Sequence, residues 1–98
     1  MMALRERAMV SATSAPALPR HVRIQYDPVR QAFAVLSPEK VFWPNEISLD
    51  ILRRCDGRSK VGHIIAGLAA DYDAEQEAVA ADVIAFLQEW SDKLLVKL

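Results

Sequence analysis

The hydrophobic pattern changes its period once along this chain, at Pro44-Asn45, and that single change constrains the fold more than any other feature. Before it, apolar residues recur at every second position. Val22, Ile24 and Tyr26 alternate with Arg23 and Gln25, and Phe33 and Val35 share one face of the run 32–36, as in half-buried strands. After it, apolar residues recur three and four apart, the period of amphipathic helices. Strands gathered first and helices gathered second predict an α+β domain rather than an alternating α/β one.

The turn residues refine this order. Asp27-Pro28 and Ser37-Pro38-Glu39 leave only short links between neighbouring strands, so the expected sheet is a three-stranded antiparallel meander with its third strand at 40–43. Pro44 has no amide hydrogen for a ladder and ends it. Asn45 is placed to cap a first helix over 46–55 with Ile47, Ile51, Leu52 and Cys55 inward, and Asp56-Gly57 supplies a stop that can take positive φ. Ser59 is expected to cap a second helix over 60–72, with Val61, Ile64, Ile65 and Leu68 on its inner side. Asp73, with Gln76 three residues on, reads as the capping-box start of a third helix reaching Asp92. On that helix Val79, Val83, Phe86, Leu87 and Trp90 form one stripe, which Ala80 and Ile84 widen to an arc of about 160°. Together these elements predict a winged-helix-like domain, a three-stranded antiparallel sheet followed by three helices.

The chain has 98 residues, enough for one core. Residues 1–19 show neither period, and the stretch SATSAPALP is rich in small residues and proline, so a flexible tail is expected there and the folded domain over 20–98. Met9 offers an alternative start to Met1. No apolar run nears the ~20 residues of a membrane span, and the start lacks a signal-like apolar stretch. A cytoplasmic protein that does not meet a membrane is therefore expected.

Chemistry-bearing residues are sparse. Cys55 falls on an inner helix face, His63 on an outer one, and His21 opens a strand, so no nucleophile, base and orienting carboxylate converge. Glu75 and Glu77, like Asp71 and Asp73, crowd a helix start, where acids are favoured by the dipole alone. One cysteine and two histidines make no spaced metal-ligand set. The expectation is a protein that is not an enzyme, with no cofactor, no metal and no clear closed pocket for a small ligand.

Two binding readings remain. A winged helix-turn-helix DNA-binding protein is the alternative, but its last helix would carry Glu75, Glu77, Asp82, Glu89 and Asp92 with neither lysine nor arginine, so nucleic acid is not the expected partner. The basic residues Arg53, Arg54, Arg58 and Lys60 surround the first helical turn and suit a solvated face. The other reading is geometric. A short third strand at a sheet edge, beside a helix with a broad apolar arc, can accept a guest peptide as an added strand. Periodicity leaves equally open that Val41 and Trp43 are ordinary core and that Ile84 is covered by Met or Leu side chains from the termini; a homodimer through the same edge is a third possibility.

The wording of the sequence adds a resemblance. LPRHVR, LSPEKVFWPNE, ILRRCDG and DVIAFLQEWSDKLL, in this order and spacing from Leu18 to Leu95, resemble the PqqD family of pyrroloquinoline quinone (PQQ) biosynthesis. The resemblance implies a peptide chaperone, a stand-alone recognition element for ribosomally made and modified peptides (a RiPP recognition element). Its implied partners are the precursor peptide PqqA and the radical S-adenosylmethionine (SAM) enzyme PqqE, to which it presents the peptide. It also implies a peptide-binding groove with Val41, Phe42 and Trp43 on the strand side and Ala80, Val83, Ile84 and Leu87 on the helix side. Relatives often read DKGLL where this chain has Asp92-Lys93-Leu94-Leu95, so a leucine stands where a helix-stopping glycine is usual.

Overall fold

Two short turns fold the first half of the domain into a meander. In the computed structural model, which describes residues 7–98, strands β1 (Arg23–Asp27), β2 (Ala32–Leu36) and β3 (Val41–Phe42) precede helices α1 (Glu46–Arg53), α2 (Val61–Asp71) and α3 (Gln76–Asp92). The sheet order is β1-β2-β3, both pairs antiparallel, with Ile24 opposite Val35 and Val35 opposite Phe42. The winged-helix-like α+β arrangement expected from the change of period is the one found. Among the described residues no helix is long and apolar enough to cross a membrane.

One face of the sheet, carrying Val35, lies against the helices. The core there gathers Val35, Leu52, Val61, Val83 and Leu87, all but fully removed from solvent, with Trp90, Leu95 and Val96 closing its far end. Burying a side chain such as Leu87 contributes about 1.5–3 kcal/mol. Ile47, expected on the inner face of α1, is instead exposed, because this eight-residue helix meets the core only through its second half, at Ile51 and Leu52.

The helix ends depart from the expected caps in an informative way. Asn45 does cap α1, its Oδ1 accepting from the Ser48 amide at 2.8 Å, and Gly57 does take positive φ, 78°. Asp73, however, does not start α3. It sits at φ 50° and ends α2, since the Asp73 and Ala74 amides donate back to Ala70 and Ala69, the pairing of a left-handed helix stop. Helix α3 begins three residues later at Gln76. Ser59 does not cap α2 either. Its amide and hydroxyl are both given to Asp56, at 2.7 and 3.1 Å.

The amides that Ser59 leaves free are met by the N-terminal segment. Val61 donates to the Ser14 carbonyl at 2.8 Å and Gly62 to that of Ala12 at 3.0 Å. Gly57 donates to the Pro16 carbonyl, and Ala17 exchanges a pair of 2.8 Å hydrogen bonds with Lys97 near the C-terminus. Pro16 is buried, and Val10 packs against the core while its amide donates to Gln88 on α3. Residues 7–19 are therefore docked along α2 and α3 rather than forming the flexible tail expected for 1–19; residues 1–6 lie outside the described residues. The physical reason is that helix-start amides need acceptors, and main-chain carbonyls supply them without any periodic side-chain pattern.

Candidate functional site

Strand β3 is an edge. It pairs with β2 on one side and has no strand on the other among the described residues, so part of its amides and carbonyls stays available to a guest. Strand alternation then fixes which side chains flank that edge. Phe42 stands opposite the buried Val35 and points to the helix side, where its ring lies 5.3 Å from that of Trp90. Val41 stands opposite Leu36 and points to the outer side of the sheet. Trp43 lies on that outer side as well, sharing a shallow hollow of about 280 Å³ with Gln25, Ala34, Leu36 and Val41.

Helix α3 also has two flanks. At about 100° per residue, Phe86 and Ile84 lie on opposite sides of the buried line Val83–Leu87. Phe86 faces the sheet edge, stacked on Trp90 at 5.0 Å between ring centroids. Ile84 shares its stripe with Gln88, whose side chain bonds the N-terminal segment at Ala8 and Val10, so Ile84 and Ala80 belong to the flank away from β3. The seven residues implied by the resemblance thus do not form one surface. Val41 and Trp43, 51% and 45% exposed, border the edge on its outer side. Phe42 borders it on the helix side. Val83 and Leu87 are core, and Ile84, 40% exposed, and half-buried Ala80 lie elsewhere. The ring that does sit beside Phe42 is that of Trp90, on which Phe86 stacks; Val79 lies on the same flank of α3, about three turns nearer its start. Sequence reasoning placed them in the helix's stripe but not in the groove; the signal was the inward register of Phe42, which calls for an aromatic neighbour on that flank.

Cations rim the edge. The Arg30 guanidinium lies 4.8 Å from the Trp43 ring centre, Lys40 is 5.8 Å from that of Phe42, and Arg53 stacks over Phe33 at 4.3 Å. In each the negative face of the ring quadrupole attracts the cation. Asp27 holds Arg30 by an ion pair at 3.4 Å; its carboxyl sits below the usual aspartate range, chiefly because the Arg30 amide donates to it.

Cys55 is buried, its thiol donates to the Ile51 carbonyl at 3.2 Å, and desolvation pushes its pKa up to about 12, which keeps it protonated and unreactive at neutral pH. Among the described residues no three His, Cys, Asp or Glu side chains gather as a metal site. A cleft of about 570 Å³ opens at the C-terminal end of α3 between Arg7, His21, Asp92, Leu94 and Leu98, and no residue of β3 lines it.

The family model for coenzyme PQQ synthesis protein D (PqqD) matches residues 33–96, which span β2 to the C-terminal segment. The chain belongs to the PqqD family. A PqqD relative from Rhodopseudomonas palustris strain TIE-1, named PqqA binding protein, is 46% identical over 87 residues, covering 89% of this chain and 85% of the relative. One of the same name from Bradyrhizobium diazoefficiens is 45% identical over 84 residues, covering 86% and 82%. Among solved PqqD structures, the solution structure of the PqqD part of Methylobacterium extorquens PqqCD, described as a functional stand-alone RiPP recognition element, superposes with a TM-score of 0.77. It is 32% identical, with 94% of this chain and 97% of that one covered. The crystal structure of PqqD from Xanthomonas campestris gives a TM-score of 0.58 at 34% identity, covering 92% and 100%.

Proposed function

We propose that this protein is a cytoplasmic peptide chaperone that binds the precursor peptide PqqA as a fourth strand on β3 and presents it to the radical SAM enzyme PqqE. The observation that carries the reading is the coincidence of an open strand edge with a row of aromatic side chains, Phe42, Phe86 and Trp90, on one side of it. Main-chain hydrogen bonds to β3 supply affinity without regard to sequence, and alternate guest side chains entering the aromatic groove supply selectivity. The names of the close relatives support the same guest. The protein does no chemistry itself; its role is to hold the peptide extended and rigid.

Titrating synthetic PqqA into isotope-labelled protein tests this. The expected result is saturable amide shifts confined to residues 40–43 and to the Val79–Phe86–Trp90 flank of α3. Saturating peptide with no response at β3 would remove the reading, and so would an edge already occupied by a second copy at working concentration. Adding PqqE to the loaded protein is expected to give a three-component complex by light scattering.

A further inference from the structure

We propose that the outer side of the sheet beside β3 is a second half of the peptide site, one that reads an acidic guest residue through Arg30. This rests on the strand-addition reading above and deepens it. An added strand alternates, so only half of its side chains reach the aromatic groove, and the other half must lie on the face that carries Val41 and Trp43. That face is not a neutral polar surface. Leu36, Val41 and Trp43 line a hollow with Ala34 at its floor, 4% exposed although it points away from the core.

Arg30 stands at the rim of this hollow with two partners. Its guanidinium lies over Trp43, and one terminal nitrogen pairs with Asp27. Asp27 is itself anchored, its Oδ1 accepting from the amides of Val29 at 2.9 Å and Arg30 at 3.3 Å. Two restraints on one long side chain lower the entropy lost when it binds. Asp27 engages one of the guanidinium's nitrogens, and the side chain is 67% exposed, so the remaining donors face the solvent that a guest would displace. A guest residue directly or diagonally across from Trp43 has its Cβ about 5–8 Å away, within reach of Arg30 for aspartate or glutamate. The guest class is therefore an extended segment, apolar on both faces near β3, with one carboxylate on its outer face.

Synthetic PqqA and a panel of variants, each with one Asp or Glu changed to Asn or Gln, test this by calorimetric titration against wild type and Arg30→Gln. The expected result is that Arg30→Gln weakens unmodified PqqA by about threefold to tenfold, and that one acid-to-amide peptide loses the same factor against wild type but nothing further against Arg30→Gln. Unchanged thermal unfolding of Arg30→Gln confirms that the fold is intact. Equal affinity of both proteins for PqqA, or the lack of any coupled peptide position, would overturn the proposal while leaving the β3 reading standing. Failure of wild type to bind PqqA would instead remove the β3 reading. Trp43→Arg is the second variant. Weaker PqqA binding is expected, whereas unchanged peptide affinity with loss of self-association would assign the face to a second copy and overturn the proposal.

Discussion

Leu94 adopts a backbone conformation that its side chain opposes. At φ 63° it occupies the left-handed position that ends α3, where its amide donates to Ser91 and that of Leu95 to Trp90. A β-carbon there costs about 1–2 kcal/mol, and the side chain, 53% exposed, recovers little by burial. Leu94→Gly removes the strain but adds freedom to the unfolded chain, worth about 0.4–1 kcal/mol. The expected outcome is a net gain of up to about 1 kcal/mol, read as a rise of a few degrees in the melting temperature. How far such positions can be read from sequence depends on residue type. Asn45 and Gly57 announce their roles because few other residues suit them. Asp73 misleads, since a short acceptor side chain suits both a helix start and a left-handed stop, and only the hydrogen bonds of the preceding turn decide which.

In α3 the breadth of the apolar arc is legible, and its orientation is not. The periodicity that marks Val83 and Leu87 as inward says nothing about which flank meets the sheet and which meets the N-terminal segment, because that depends on how the helix lies across its neighbours. Strand alternation supplies the missing constraint, since Phe42 must face inward and its ring then selects Phe86 and Trp90. The two flanks separate in a paired experiment. Phe86→Asp introduces a charge into the proposed groove and is expected to weaken PqqA binding by more than about tenfold, whereas Ile84→Asp, on the opposite flank, leaves the affinity within about twofold. Equal effects from both substitutions would contradict this assignment. Leu87→Ala, in the core between them, should instead cost about 2–5 kcal/mol of stability by chemical denaturation.

Long-range fastening makes a single body of these elements, and it is the part least visible in the sequence. The N-terminal segment works through main-chain carbonyls of small residues, Ala12, Ser14 and Pro16, which leave no periodic trace. A chain starting at Met9 keeps those bonds and, among the described residues, loses the exposed Arg7–Asp92 pair and the Gln88 hydrogen bond to the Ala8 carbonyl, so its melting temperature should match that of the full chain. A chain starting at Leu18 loses five backbone hydrogen bonds, involving Gly57, Val61 and Gly62 and both between Ala17 and Lys97, and should be destabilised by about 3 kcal/mol. A second fastening joins α1 to α2 through Asp50, which accepts from Arg54 at 2.8 Å and from the Tyr72 hydroxyl at 3.0 Å. The Arg54 hydrogen bond is the main cause of the lowered Asp50 pKa. A depressed carboxylate contributes stability above its unfolded value, about 3.9, and loses it as pH falls through the folded one. The urea midpoint is thus expected to fall below about pH 4, and less steeply in Asp50→Asn. The edge position of β3 has one more effect. A segment that lies down beside it becomes the new margin of the ribbon, clasped along one side only, so its far row of amides and carbonyls stays in water where the next molecule in line can grasp it.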